Sequence, residues 1–217
     1  MVIKWVILGD TTPSWPYTIE AHILAGISRV ERGLGAISRA AILPELRLSL
    51  QKQARRRSSR ASAGIEGVIV DDRSVQAIDR GLAPASRDER EVAALIHLCE
   101  WVQSQAAGYV ASEADCRRLH QLVWDKIVVK SMTGRYRREA VGVWDGPQLV
   151  YEAPDWERMP ELMAHLGLWL SALSQAGIHP VIAAGVAQFE FIRIHPYMDG
   201  NGPVSYTHLT LPTILRV

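Results

Sequence analysis

The segment from Pro180 to Arg193 constrains the fold more than any other part of the 217-residue chain. Proline favours the first position of a helix, and the apolar residues that follow fall on nearly every side of that helix. A helix of this composition needs other helices around it, so the sequence predicts a helical core with this segment at its centre. Gln188 and Glu190 interrupt the run, and no stretch reaches the roughly 18–20 apolar residues of a membrane span.

The composition is that of a folded globular protein and excludes disorder for most of the chain. Hydrophobic residues make up 48% of it and charged residues 22%. The formal net charge of +1 points to no class of partner. The two cysteines, Cys99 and Cys116, have a spacing that fits neither a disulfide scaffold nor a zinc ribbon, so we expect a reducing cytoplasm.

Helical spacing of apolar residues recurs through most of the remaining sequence. We expect an irregular arm over residues 1–18, then a helical region from Ile19 to about Arg57, then three further helices. Their start and stop signals are Pro44, the capping box of Ser86 with Glu89, Ser112, Pro154 and Gly177. Both cysteines fall on apolar helix faces, where a thiol packs as a small hydrophobic group.

A basic run, formed by Lys52, Arg55, Arg56, Arg57 and Arg60, lies in the N-terminal helical region. Such a run can contact phosphate groups, but a solvated helix face explains it better. Binding to nucleic acid is therefore not expected.

One short stretch departs from the helical pattern. Val141, Val143, Leu149 and Tyr151 alternate with other residues around Asp145-Gly146, a dipeptide typical of tight turns. The sequence predicts a single β-hairpin within an otherwise helical chain.

The segment that follows the central helix, His195-Pro-Tyr-Met-Asp-Gly-Asn-Gly202, has a composition that points to a site. Glycines around Asn201 let main-chain N–H groups converge on an anion. Asp199 suits Mg²⁺, which takes one or two carboxylates together with phosphate oxygens. His195 titrates near neutrality and can remove a proton from a hydroxyl group. Together these residues indicate phosphoryl or nucleotidyl transfer.

Two structural explanations compete with that interpretation. The segment is similar to the middle of a calcium loop, but His195 and Tyr206 would then occupy positions that need carboxylates. Alternatively, it is a glycine-rich helix end beside a buried histidine, which accounts for a lone histidine better than for the whole cluster.

The same residues resemble the signature H-P-F-x-[D/E]-G-N-G-R-x-x-R of the Fic (filamentation induced by cAMP) family. The resemblance implies an all-α fold: a helical core with a short β-hairpin flap and an N-terminal helical region. It further implies binding of ATP with Mg²⁺ and transfer of AMP to a Ser, Thr or Tyr hydroxyl of a target protein. By the same resemblance, His195 would be the general base and Asp199 the metal ligand, while Gly200, Asn201 and Gly202 would hold the phosphates.

A second resemblance lies upstream, where residues 62–67 are similar to the family's inhibitory motif [S/T]-x-x-x-E-[G/N]. It implies that Glu66, with Ser62 and Gly67, prevents productive binding of the ATP γ-phosphate by pairing with the second signature arginine. A solvated glutamate before a glycine that caps the helix is the alternative.

A third resemblance concerns Gly134-Arg-Tyr-Arg137 and the predicted hairpin, which are similar to the family's flap. In relatives the flap registers a target segment by strand addition. Self-association as a homodimer is left open, and no membrane partner is expected.

The match to the signature stops after Gly202, because Pro203 and Tyr206 occupy the two arginine positions. Neither side chain replaces a guanidinium that grips phosphate. We therefore divide the chain into an N-terminal arm and helical region (1–84), a core truncated after the signature (85–202), and a tail foreign to the family (203–217). The leading interpretation is an adenylyltransferase restrained by Glu66, and the alternative is a non-catalytic interaction protein.

Overall fold

A computed structural model of the chain describes residues 18–65, 67–105, 112–124, 132–172, 178–202 and 204–205. Within these ranges the fold is all-α apart from one hairpin, as predicted. The elements are α1 (Ala21–Arg39), α2 (Pro44–Ile65), α3 (Asp72–Asp79), α4 (Arg87–Gln103), α5 (Glu113–Trp124), β1 (Gly142–Asp145), β2 (Gln148–Glu152), a 3₁₀ turn (Trp156–Arg158), α6 (Met159–Ala172) and α7 (Pro180–Ile194). Residues 1–17 of the expected arm and the expected stop at Gly177 lie outside the described residues. None of the described helices is long and apolar enough to cross a membrane.

Side chains at the predicted positions start two of the helices. The Glu89 N–H donates to Ser86 Oγ over 3.1 Å, and the Glu89 carboxylate accepts from the Ala85 N–H over 2.7 Å. Ser112 Oγ accepts a longer bond of 3.4 Å from the Asp115 N–H before α5. These bonds satisfy main-chain donors that a helix start leaves without partners.

The core lies around α4, which packs against α2, α3 and α5, and it continues through α6 to α7. Its largest fully buried side chains include Trp169, Tyr197, Phe191, Leu98, Leu119 and Met159. Both cysteines are free thiols. Burial raises the pKa of Cys99 and of Cys116, so both remain protonated at neutral pH.

The basic run is held by ion pairs within the chain. Arg55 pairs with Asp79 at the end of α3 and, over 3.2 Å, with Glu100 of α4. Arg60 pairs with Asp72. Arg55 and Arg60 therefore join α2 to its neighbours, while Lys52 and Arg57 of the same run are exposed.

The prediction that the segment from Pro180 is surrounded on all sides is wrong for the described residues. α7 buries one face against the core, but Phe189 is 67% exposed on the opposite face. The described elements therefore leave part of the apolar surface of this helix uncovered. Helix α1 also buries no side chain, and it meets α7 through a 2.9 Å contact between Glu31 and His179.

The predicted hairpin is present, with β1 antiparallel to β2 and a two-residue turn at Gly146-Pro147. Gly146 adopts φ +56°, a conformation that favours glycine. All five residues of β2 are exposed. The Tyr151 hydroxyl donates to the Arg193 carbonyl over 2.5 Å, which fastens the hairpin to the last turn of α7.

Candidate active site

His195 ends α7 in a left-handed conformation, with φ 52° and ψ 60°. Among the described residues it is the only non-glycine residue with a positive φ. Its N–H still bonds to the Phe191 carbonyl over 2.9 Å, so the helix ends at this residue and the chain turns sharply. Strained backbone of this kind persists only where the surroundings enforce it, and it is frequent at functional sites.

Arg137 supplies much of that enforcement. Its buried guanidinium donates to the carbonyls of His195 over 2.8 Å, of Glu139 over 2.7 Å, and of Pro154. A longer bond of 3.4 Å reaches the Ile194 carbonyl, and the Arg137 N–H donates to the Pro196 carbonyl over 2.8 Å. One side chain thus joins the turn after α7 to the chain on both sides of the hairpin.

Asn201 closes the loop from within. Its carbonyl oxygen accepts from the Tyr197 N–H over 2.9 Å, and its amide donates to the Tyr197 carbonyl over 2.8 Å. The side chain is 3% exposed. It therefore holds the loop shape, and its main-chain N–H is the part left for the predicted phosphate contact. Residues 201–202, which include Gly202, and residues 204–205 are helical, so the loop leads directly into a helical turn.

His120 of α5 supports the loop from outside. Its Nδ1 accepts from the Gly134 N–H over 2.8 Å, which leaves Nε2 to carry the proton and donate to the Asp199 carbonyl over 3.1 Å. Its ring stacks on Tyr197 at a centroid distance of 3.9 Å. Burial lowers the pKa of His120, so the bonds and the surroundings both favour the neutral tautomer.

The electrostatics of His195 suit a general base. Burial lowers the pKa of its half-buried imidazole below the ordinary 6.5, and the charge of Arg137 acts in the same direction, against the Ile192 carbonyl and Asp199. The side chain is therefore neutral at pH 7. A neutral imidazole has one ring nitrogen with a lone pair that can accept a proton.

Asp199 lies exposed on the same loop, where its Oδ1 accepts from the Gly200 N–H over 2.8 Å. The described part of the chain contains no group of three or more His, Cys, Asp or Glu residues that could enclose a metal. A lone exposed carboxylate fits Mg²⁺ only when phosphate oxygens and waters complete the coordination. Asp199 therefore suits a metal that arrives with a nucleotide.

Gly200 is required at its position for two reasons. It adopts φ +79°, and a Cβ atom there would lie 1.7 Å from Nε1 of the buried Trp124. We expect Gly200→Ala to lower the free energy of unfolding, measured in urea, by about 2–4 kcal/mol through strain and overpacking. Gly146→Ala is the control, because Gly146 also has a positive φ but has no atom within 4 Å of the added group. Equal losses in the two variants would contradict the contact with Trp124.

Tyr197 stands where the family signature has Phe, and its buried hydroxyl has no hydrogen-bond partner among the described residues. We expect Tyr197→Phe to raise the free energy of unfolding by about 1 kcal/mol, because it removes an unsatisfied polar group and keeps the ring. Tyr136→Phe should lower it instead, because the Tyr136 hydroxyl donates to Glu113. Urea unfolding of both variants tests this, and a destabilised Tyr197→Phe would show that the hydroxyl has a partner.

The upstream motif ends α2. Ser62 is half-buried in the helix, and Glu66 lies outside the described residues. Gly67 has φ +82°, its N–H bonds to the Gly64 carbonyl, and the Val68 N–H bonds to the Ala63 carbonyl. This pattern is a Schellman motif, so helix termination explains the glycine. Pro203 and Tyr206, at the two arginine positions, also lie outside the described residues.

His120 and Arg137, whose side chains support the loop, were not predicted from motifs in the sequence. His120 shares a helix face with Cys116 and Val123, and a polar residue on that apolar stripe was the available signal. Arg137 belongs to the noted Gly134-Arg-Tyr-Arg137 stretch, but the stretch does not reveal which arginine is buried.

Comparison with known proteins gives consistent matches. Residues 110–212 match the model of the Fic/DOC family. The curated "Protein adenylyltransferase Fic" of Drosophila virilis and that of Drosophila melanogaster are each 37% identical over 54 residues, which is 25% of this chain. The chain spans only about a tenth of the length of these relatives, since the match covers 11% of each.

Solved structures resemble the chain over most of its length. A Fic family protein from Desulfovibrio desulfuricans G20 is 32% identical, with a TM-score of 0.72 over 91% of this chain and 58% of that one. A Fic domain containing signaling protein from Bacteroides thetaiotaomicron, at 20% identity, shares the fold with a TM-score of 0.75 over 88% of this chain and 73% of its own. The chain therefore carries a Fic/DOC-family domain, matched over residues 110–212.

Proposed function

We propose that this chain is a protein adenylyltransferase, which transfers AMP from ATP to a Ser, Thr or Tyr hydroxyl of a target protein. The observation that carries the proposal is the geometry of His195. A neutral imidazole is fixed on a braced loop that also holds Asp199 and leads into a helical turn. The name of the Drosophila relatives, "Protein adenylyltransferase Fic", supports the same reaction.

In this reaction His195 removes the proton of the target hydroxyl as the hydroxyl oxygen bonds to the α-phosphorus, and pyrophosphate leaves. The proton passes to the ring nitrogen of the neutral imidazole that carries a lone pair. Arg137 holds the main chain of His195 and so fixes the direction of approach. General-base catalysis of this kind contributes about 10² to 10⁴ in rate.

The loop supplies the phosphate contacts. Asn201 and Gly202 would present main-chain N–H groups to the phosphates, since the first amides of a helix lack partners within it. The Gly200 N–H, which donates to Asp199 Oδ1, would join them once that bond is exchanged for a phosphate oxygen. Asp199 would hold Mg²⁺ together with the phosphate oxygens. The ion would neutralise charge on the phosphates during transfer.

Regulation and target binding follow the family resemblance. Glu66, which follows α2 in the sequence, would restrain the reaction, and a target segment would pair with an exposed edge of the hairpin. We also place the protein in the cytoplasm, in keeping with its two free thiols.

A second candidate function is favoured by one specific observation. Pro203 and Tyr206 replace the two signature arginines, so ATP would lose two bidentate contacts and Glu66 its partner. A chain in this state would act as a non-catalytic interaction protein that binds its partner through the hairpin.

The test compares the chain with a variant in which Pro203→Arg and Tyr206→Arg restore the signature. Each is incubated with Mg²⁺ and ATP labelled at the α-phosphate, with and without Glu66→Gly, and self-labelling is counted. We expect label in the restored variant and more label after Glu66→Gly, because removing the carboxylate removes the proposed restraint.

Separate outcomes address each part of the proposal. Label that does not rise with Glu66→Gly contradicts the inhibitory role but not the enzyme. Absence of any Mg-ATP affinity by calorimetry in the restored variant favours the interaction protein. Tight binding of ATP without label shows that the acceptor is a separate protein, and purified candidate targets are then added.

A further inference from the structure

A cavity of about 680 Å³ opens at the base of the hairpin, and we call it the root cavity. Its walls come from residues 135–139, just before β1, and residues 156–160, just after β2. Arg117 of α5 and Met198 of the loop after α7 close the other sides. The volume lies within the range of ligand sites and is sufficient for several side chains of a bound peptide.

Part of the surface of the root cavity is apolar and adaptable. It includes three methionines, of which Met132 is 45% exposed and Met198 39% exposed, together with Trp156 at 37%. Methionine is common at surfaces that bind varied peptides, because its side chain is flexible and polarizable. Large apolar groups that lie exposed around a concavity mark a place that a ligand covers.

The charge of the root cavity selects the sign of that ligand. Four arginines and two glutamates line it, and Arg117 is paired with Glu113 over 3.0 Å, so the formal charge with that partner included is +1. Arg135 and Arg138 are exposed and have no ion pair within the described ranges. The hydrogen bonds of Arg137 go to neutral carbonyl oxygens, and the nearby carboxylate of Asp155 interacts with its charge, so Arg135 and Arg138 are the arginines available to a ligand.

The root cavity also adjoins the candidate active site. Met198 lies three residues after His195, and Arg137 lines the cavity while it binds the His195 carbonyl. A peptide paired along the hairpin would run toward its base, past these residues. The occupant that fits is therefore part of the acceptor protein.

We propose that the root cavity binds a segment of the target protein in which an apolar side chain is flanked by carboxylates, close to the hydroxyl that receives AMP. The apolar side chain contacts Trp156 and Met198, and the carboxylates pair with Arg135 and Arg138. This inference rests on the proposed adenylyltransferase function, for which it names the class of target.

The test measures peptide binding without nucleotide, by fluorescence anisotropy on the full chain. The probes are fluorescein-labelled Glu-Asp-Phe-Thr-Asp-Glu and Lys-Lys-Phe-Thr-Lys-Lys. Each is titrated with the chain up to a protein concentration of about 1 mM. We expect the acidic peptide to bind at least about ten-fold more tightly, and its affinity to fall as salt rises, because the pairing is electrostatic.

Variants assign the contact to the cavity. Arg135→Gln and Arg138→Gln should each weaken binding of the acidic peptide by about two- to five-fold, as expected for exposed ion pairs. Trp156→Ala should weaken it through the lost apolar contact. Arg47→Gln is the matched control, because Arg47 is exposed on α2, away from the cavity, and should leave binding unchanged.

Several results would overturn the proposal: equal binding of the two peptides, no saturable signal with either, or the same loss in Arg47→Gln as in the cavity variants. Displacement of the acidic peptide by Mg-ATP would assign the arginines to nucleotide phosphates. Loss of peptide binding through self-association, seen by sedimentation, would assign the cavity to a second copy of the chain. This experiment measures peptide binding and not AMP transfer. Its result can therefore be interpreted even if the labelling assay fails.

Discussion

His195→Ala is expected to slow AMP transfer by about 10²- to 10⁴-fold, the usual contribution of a general base. The variant is made in the background with Arg at 203 and 206 and Gly at 66, where transfer is measurable. The backbone of the loop remains braced by Arg137 and Asn201, whose bonds do not involve the imidazole. Affinity for Mg-ATP, measured by calorimetry, should therefore change little, which separates proton removal from binding.

The same reaction has a predicted pH dependence. The imidazole accepts a proton only when it is neutral, and burial lowers the pKa of His195. The rate should therefore persist as pH falls through 6.5 and decline only at lower pH, toward the lowered pKa. His165→Ala, at an exposed position on α6, is the control and should keep the parent rate and profile. An unchanged rate in His195→Ala, or a decline centred above 6.5, contradicts the assignment.

Arg137→Met is expected to lower the free energy of unfolding by about 3–5 kcal/mol, since it deletes four hydrogen bonds, three of them part-buried and one, to the Ile194 carbonyl, buried. That loss is a large part of the stability of an ordinary domain. Arg137→Lys should recover little of it, because an ammonium group lacks the planar fork that reaches His195 and Pro154 together. Urea unfolding measures both effects.

Arg138→Met is the matched control for this prediction. Arg138 is adjacent in sequence, exposed, and without an ion pair in the part of the chain that the structure describes. Its loss should change the unfolding free energy by no more than about 0.5 kcal/mol. If Arg137→Met is as mild as Arg138→Met, the guanidinium does not brace the loop.

Local signals in the sequence predicted most of the helix starts and the hairpin. Ser86 with Glu89, Pro44 and Pro180 act through their own backbone chemistry, and each begins a helix where expected. Burial was less predictable, because it depends on which elements meet in space. Phe189 fits a central helix by composition, yet the described elements leave it exposed.

The residues of the candidate site also differ in whether the sequence alone predicts them. His195 and Asp199 are predicted from the sequence because their chemistry is concentrated in one short segment. His120 and Arg137 carry no such signal, because they lie 75 and 58 residues from His195 and form their hydrogen bonds to the loop with main-chain carbonyls. A side chain that recognises backbone atoms leaves no motif in the sequence of its partner. The roles of Ser62, Glu66 and Gly67 in restraint stay predictions.

The hydrogen bonds of Arg137 have a mechanical consequence for the hairpin. The Arg137 guanidinium binds main-chain carbonyls just before and just after the hairpin, and the Tyr151 hydroxyl binds the Arg193 carbonyl. The turn at Gly146-Pro147 lies beyond these hydrogen bonds. The hairpin is therefore held at the end near His195, and its turn is held by none of these bonds. A load applied at the tip bends the outer strands, whereas a load near the anchorage is transmitted to the histidine backbone.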